Sequence, residues 1–97
     1  MPRVELSLGA VEDLERLIFT HSLPSNTRSR LKKSLGVLEE FPRIGKQLSG
    51  RWEEMRFILG PWRWLLIVYR YQQAEDLVLV LTIQDARSHL SATSGSM

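Results

Sequence analysis

The chain has 97 residues, of which 43% are hydrophobic and 25% charged, a composition that indicates one ordered domain and excludes a disordered chain. It contains no cysteine and has a formal net charge of +2, which excludes a disulfide scaffold or thiolate metal site and allows, without requiring, an acidic or nucleic-acid partner. The longest apolar run, residues 64–69, is too short to span a membrane, and residues 1–4 do not begin a secretory signal, so we expect a cytoplasmic protein with no membrane partner.

The first predicted elements are a short strand and a helix. Residues 3–8 alternate between polar and apolar side chains, which predicts a strand with one buried face. From Gly9 the apolar residues recur at helical spacing. These residues are Ala10, Leu14, Leu17 and Ile18. Ser7 can cap the helix, and residues 21–24 (HSLP) are expected to end it.

A second helix is predicted to start at Ser25 or Asn26, to run to Phe41 and to stop at Pro42. Its apolar stripe consists of Leu31, Leu35, Leu38 and Phe41. Its exposed basic face consists of Arg28, Arg30, Lys32 and Lys33. Such a basic face is usually only solvated, although it can also contact a partner. The two helices, joined by a short turn, are expected to form a hairpin.

Three strands are predicted after a loop at residues 43–50. They cover residues 52–59, 62–71 and 77–83, and the short connections between them predict an antiparallel meander. The order β-α-α-β-β-β indicates an α+β domain in which the helical hairpin packs on one face of a small antiparallel sheet. We expect a single domain over residues 1–90 and a flexible polar tail over residues 91–97.

Few side chains suggest catalysis. The two histidines, His21 and His89, are too few for a histidine metal site, and no nucleophile elbow or phosphate-binding loop is present, so we expect neither a metal nor a cofactor. Five arginines lie in or beside the predicted sheet, where they could hold phosphates. They are Arg51, Arg56, Arg63, Arg70 and Arg87. Alternatively, they cover the tryptophans and pair with Glu53, Glu54 or Asp85.

The three tryptophans are Trp52, Trp62 and Trp64, and such large side chains most often belong to a core. If the sheet face opposite the helices is open, one or two of them would instead form an apolar groove. That groove could accept a helix or a strand of a partner protein.

Several short motifs follow one another along nearly the whole chain. They are residues 6–7 (LS), 13–15 (DLE), 38–50 (LEEFPRIGKQLSG), 55–56 (MR), 60–63 (GPWR), 66–70 (LIVYR) and 85–87 (DAR). In this order and spacing the sequence resembles the ParE/RelE superfamily, the toxins of bacterial type II toxin–antitoxin pairs. The resemblance implies a RelE/ParE-like fold and a cognate antitoxin that forms a hetero-oligomer with the toxin. The β-α-α-β-β-β order obtained from periodicity agrees with that fold.

The resemblance allows two toxic functions, and also a non-toxic relative that is retained as a complex partner. The segment from Gly60 to Arg70 looks more like ParE, whose members poison DNA gyrase by binding it, and Arg56, Trp62, Arg63 and Arg87 would then contact the target or the antitoxin. In RelE-like members, which cleave mRNA on the ribosome, basic residues neutralise the scissile phosphate. That alternative implies Arg56, Arg63, Arg87 and His89 as catalytic residues. We favour the ParE-like function, in which the protein inhibits growth without being an enzyme.

Overall fold

The computed structural model describes residues 1–88. Its strands and helices are, in chain order, β1 (Arg3–Leu6), α1 (Leu8–Thr20), α2 (Thr27–Glu40), β2 (Lys46–Gln47), β3 (Arg56–Leu59), β4 (Leu65–Gln72) and β5 (Leu77–Asp85). The predicted tail at residues 91–97 lies outside the described part of the chain. Within residues 1–88 no helix is long and apolar enough to cross a membrane.

The five strands form one sheet in the order β1-β5-β4-β3-β2. The predicted meander is confirmed, because β3, β4 and β5 pair antiparallel as consecutive neighbours. The α+β class and the order of the elements are confirmed as well, with one added strand, β2, inside the predicted loop. The description of an antiparallel sheet needs one amendment: β1 runs parallel to β5, because the helical hairpin carries the chain away from β1 before the meander begins.

The helical hairpin covers one face of the sheet. Ser7 begins α1 as predicted: its hydroxyl accepts a hydrogen bond from the Ala10 amide at 3.0 Å and donates one to the Leu81 carbonyl at 3.0 Å. The core under the helices consists of Ala10, Leu14, Leu17, Leu31, Leu35 and Leu38 from the hairpin and Leu65, Ile67, Tyr69, Val78, Val80 and Ile83 from the sheet.

Phe41 does not belong to this core, contrary to the predicted stripe of α2. Its side chain is 56% exposed. The helix ends at Glu40, and the backbone of Phe41 has already left helical geometry, with φ −132° and ψ 74°. The helical spacing therefore no longer determines the direction of this side chain, and Pro42 prevents the helix from continuing.

The opposite face of the sheet has a smaller core of its own. Leu66 and Val68 of β4 are fully buried there beneath Leu48, and Trp52 and Met55 pack against the same cluster. The strand predicted to start at Trp52 was extended too far: a short 3₁₀ turn occupies Gly50–Trp52 and the strand starts at Arg56. β4 is therefore covered on both faces, as its density of apolar residues predicted.

A β-bulge in β5 changes the face on which its side chains lie. Tyr69 is opposite Val80 and Val68 is opposite Thr82, so Leu81 is the extra residue. Because of this insertion, Val80 and Ile83 both face the helices although they are three positions apart. Asp85, two residues after Ile83, consequently lies on the same side and reaches the end of α1.

Candidate functional site

A cluster of aromatic and charged side chains lies where α1 ends, where β5 ends and where β3 connects to β4. We call it the Trp64 cluster, and its members are His21, Trp62, Trp64, Asp85 and Arg87. Its position is set by the backbone: the Gly60 amide donates to the Leu65 carbonyl at 2.8 Å and closes the β3–β4 connection. The Ala86 amide donates to the Trp64 carbonyl at 2.6 Å and holds the end of β5 beside it.

Trp64 is the centre of the cluster. The His21 ring is stacked on it, with the ring centroids 4.8 Å apart and an angle of 15° between the planes. The Trp62 ring lies nearly parallel to it, at 6.1 Å and 16°. The guanidinium carbon of Arg87 lies 4.7 Å from the Trp64 ring centroid, a distance at which a cation is attracted to an aromatic face. Stacked rings of this kind bury apolar area and restrict one another's rotation.

Asp85 connects the charged members. Its carboxylate accepts hydrogen bonds from Nε and Nη2 of Arg87, both at 2.9 Å, and from the Arg87 backbone amide at 2.9 Å. Its Oδ2 also lies 3.2 Å from Nε2 of His21. The Arg87 guanidinium holds the pKa of Asp85 well below its ordinary value, and the hydrogen bonds from the Arg87 amide and from His21 act in the same direction. The charge of Arg87 is therefore matched within the protein.

Two of the residues proposed from the sequence, Trp62 and Arg87, meet at Trp64. Arg63 follows Trp62 directly in the chain and is exposed, and no residue in the range 1–88 forms a hydrogen bond or an ion pair with it. His89, proposed as a proton-transfer group for the alternative function, lies outside the described residues.

Arg56 is not brought to the cluster. It is opposite Tyr69, four residues along β4 from Leu65, a separation of about 13 Å at the ordinary rise of a strand. Its Nη1 donates to the Gly45 carbonyl at 2.9 Å, and the Gly45 amide in turn donates to the Tyr69 hydroxyl at 2.9 Å. Burial raises the pKa of Tyr69 above its ordinary value. Arg56 therefore helps to hold the loop before β2 against the sheet.

Two arginines confirm the alternative in which cations cover tryptophans. The guanidinium carbon of Arg51 lies 5.3 Å from the Trp52 ring centroid, and Arg87 lies over Trp64 while it binds Asp85. Arg30 of α2 behaves similarly, at 5.7 Å from the centroid of Trp62. The pairs with Glu53 or Glu54 are not found among the described residues.

The part played by His21 was missed by the sequence interpretation. It was identified only as a helix end, yet it contacts both Trp64 and Asp85. The contact between His21 and Asp85 joins positions 64 residues apart. Its geometry depends on the bulge at Leu81, which the alternating pattern of β5 does not predict. Only the acidic and basic pair two residues apart, Asp85 and Arg87, was visible as a local feature.

Chemically, the Trp64 cluster offers flat apolar rings, a guanidinium group and an imidazole held by a carboxylate. Tryptophan and arginine are the residue types that dominate the binding energy of protein interfaces. An imidazole oriented by a carboxylate can also transfer protons. Within residues 1–88, no three histidine, cysteine or acidic side chains come close enough together to hold a metal ion.

Comparisons with known proteins identify the family. Residues 4–90 match the family model of the ParE toxin of the type II toxin–antitoxin system parDE. No curated protein sequence matches the chain. Among solved structures, the fold is similar to that of the toxin in the intact RelBE toxin–antitoxin complex of E. coli, with a TM-score of 0.68, 21% identity and coverage of 91% of this chain and 100% of that one.

Two further structures show the same fold. A chain of the RelBE2 toxin–antitoxin complex of Mycobacterium tuberculosis matches with a TM-score of 0.64 and 22% identity, over 88% of this chain and 99% of that one. A metal-bound toxin from Helicobacter pylori matches with a TM-score of 0.68 and 22% identity, over 94% of this chain and 100% of that one.

Proposed function

The chain belongs to the ParE toxin family of type II toxin–antitoxin systems, and from that membership we propose that it inhibits growth by binding a cellular target, DNA gyrase, in the cytoplasm. A cognate antitoxin neutralises it by forming a hetero-oligomer with it. Under this proposal the protein acts by contact and catalyses no reaction. Trp62, Arg63 and Arg87 carry the contact, whereas Arg56 holds the loop before β2.

The observation that carries the proposal is the pairing of Arg87 with Asp85. A guanidinium that neutralises a scissile phosphate needs unmatched charge, whereas Arg87 already pairs with the Asp85 carboxylate through Nε and Nη2 and lies with its face on Trp64. The result is a rigid surface of stacked rings with a matched charge. Such a surface suits a protein partner, because little side-chain entropy is lost when it is covered.

An antitoxin partner is supported by the relatives in the solved structures. The E. coli and M. tuberculosis structures are toxin–antitoxin complexes, and their toxins share the fold of this chain. We propose that the cognate antitoxin covers the surface around Trp62 and Arg63, since a segment bound there would keep both residues from the target.

A second function is favoured by one contact. The His21 imidazole, held by Asp85 at 3.2 Å, is a group that could move a proton beside the arginines, as a RelE-like ribosome-dependent mRNA endonuclease would require. In that case His21 takes the role that the sequence interpretation assigned to His89.

One experiment separates the two functions. The protein is induced in a bacterial host, and mRNA integrity and chromosome breakage are followed in the same culture. Gyrase poisoning predicts double-strand breaks with intact mRNA, and the His21→Ala variant should still cause breaks without mRNA cleavage. Rapid mRNA cleavage with intact chromosomes, abolished by His21→Ala, would overturn the proposal in favour of the endonuclease.

A further inference from the structure

The first two turns of α2 carry a cluster of positive charges. Arg28, Arg30, Lys32 and Lys33 lie there, and no acidic residue is present in the first turn. The amino-terminal end of a helix is the positive end of its dipole, so cations in the first turn are unfavourable for the helix. The N-cap residue, Asn26, makes no side-chain capping hydrogen bond that would compensate. The helix dipole therefore does not stabilise the cations of the first turn.

These four cations differ in the groups that surround them. Arg28 forms an ion pair with Glu15 of α1 at 2.5 Å and is neutralised. Arg30 lies over the Trp62 ring, and together with Lys33, Ser34 and Pro61 it lines a cleft between α2 and the β3–β4 connection. No acidic side chain in the described chain pairs with Arg30 or Lys33. Lys32 is exposed like Lys33 but does not line the cleft.

The spacing of the two unpaired cations, Arg30 and Lys33, indicates which kind of ligand fits the cleft. Arg30 and Lys33 are three residues apart on one helix, which places their Cβ atoms about 5–6 Å from each other. Two carboxylates one turn apart on another helix have the same spacing. Pro61 is the apolar residue of the cleft beside the cations, and an apolar side chain next to those carboxylates can pack against it.

We propose that this cleft binds an acidic α-helical segment of a partner protein, with two carboxylates on Arg30 and Lys33 and an apolar residue against Pro61. A nucleic-acid strand fits the cleft less well, because the neighbouring cations Arg28 and Arg87 are already paired with Glu15 and Asp85. The inference rests on the proposed function, since it specifies the chemistry of the partner segment.

The test uses the purified full chain and a labelled synthetic helical peptide with glutamates four residues apart and a leucine between them. Binding is measured by fluorescence anisotropy for the unchanged protein and for Lys33→Glu and Lys32→Glu. The two variants change the net charge equally at adjacent exposed positions, but only Lys33 lines the cleft. Lys33→Glu should weaken binding about tenfold, and Lys32→Glu less than about threefold.

Three results would overturn the inference: equal weakening by both substitutions, equal binding of a peptide with glutamine in place of glutamate, or tighter binding of a single-stranded oligonucleotide of the same charge. Growth after induction is measured separately. Peptide binding without growth inhibition would refute the proposed function and leave the inference intact. Growth inhibition without any peptide binding would refute the inference and leave the proposed function intact.

Discussion

The imidazole Nε2 of His21 lies 3.2 Å from Oδ2 of Asp85, although 64 residues separate the two along the chain. His21 follows the last residue of α1, and Asp85 is the last residue of β5. The contact therefore joins the helical hairpin to the sheet at the Trp64 cluster. The same carboxylate binds Arg87, so one acidic group holds a helix end, a strand end and the stacked tryptophans together.

Replacing Asp85 with asparagine should make the stability of the protein less dependent on pH. We expect a loss of about 1 kcal/mol in the free energy of unfolding at pH 7, because the hydrogen bonds from Arg87 lose their charge assistance. The folded-state pKa of Asp85 lies below its ordinary value of about 3.9, so its stabilising contribution is complete above about pH 5 and declines as the pH falls. Urea denaturation should show a smaller difference in the free energy of unfolding between variant and parent at pH 3.5 than at pH 7.

Glu12→Gln is the control for that experiment, because Glu12 is exposed and has no partner among residues 1–88. Its free energy of unfolding should stay close to that of the parent at both pH values. A difference between parent and Asp85→Asn that remains constant from pH 7 to pH 3.5 would contradict the role assigned to this carboxylate.

Two glycine-to-alanine substitutions should change stability in opposite directions. A Cβ at Gly45 would lie 2.5 Å from the Tyr69 hydroxyl and 2.7 Å from the Phe57 carbonyl, so Gly45→Ala should lower the free energy of unfolding by about 1–3 kcal/mol. A Cβ at Gly36 meets nothing within 4 Å, and Gly36→Ala inside α2 should raise it by about 0.5–1 kcal/mol. Urea denaturation measures both, and equal effects would disprove the close contact at Gly45.

Leu38 and Phe41, the last two residues of the predicted apolar stripe of α2, should differ in their contribution to the free energy of unfolding. Leu38 is fully buried, and Leu38→Ala should lower the free energy of unfolding by about 2–5 kcal/mol because it leaves a cavity. Phe41 is 56% exposed, and Phe41→Ala should cost less than about 1 kcal/mol. Thermal and urea unfolding of the two variants provide the comparison. A large loss of stability in Phe41→Ala would show that Phe41 belongs to the core, as its spacing predicted.

Arg63 and Arg87 should separate binding from stability. Arg63 has no partner among the described residues, so Arg63→Ala should leave the unfolding midpoint unchanged and relieve growth inhibition after induction. Arg87→Ala should relieve inhibition and also lower the unfolding midpoint, because it removes the ion pair with Asp85 and the contact with Trp64. Lys32→Ala, away from both positions, should change neither. Full growth inhibition by Arg63→Ala would remove this residue from the proposed contact.

Periodicity was sufficient to predict the helices and the meander, because each of these elements buries one continuous stripe of side chains. It failed where the chain departs from regular geometry. The bulge at Leu81 shifts Ile83 to the helix side, and the end of α2 at Glu40 releases Phe41 into solvent. Both changes depend on one residue whose backbone conformation the side-chain pattern does not record.

The candidate site was harder to predict than the fold for a related reason. Trp62 and Arg87 were recognised from their residue types and from the family resemblance, but their meeting point on Trp64 depends on where three elements end. Side chains such as Arg56 belong to the same class of residue and lie elsewhere, against the loop at Gly45. The sequence therefore identified candidate residues. Which of them lie together could be seen only once the pairing of β4 with β5 was known.

The parallel pairing of β1 with β5 has a consequence for how the protein is made. Among the described residues, β1 pairs only with β5, and α1 packs on that same strand. During synthesis β1 and α1 leave the ribosome long before residues 77–85 do, and until then they have no sheet to complete. We infer that the domain completes its fold only after residues 77–85 have left the ribosome, so its sheet is completed in a single late step. Nascent chains stalled before Leu77 should be digested readily along their whole length by added protease, and a protected fragment spanning β1 and α1 in such chains would disprove this order of events.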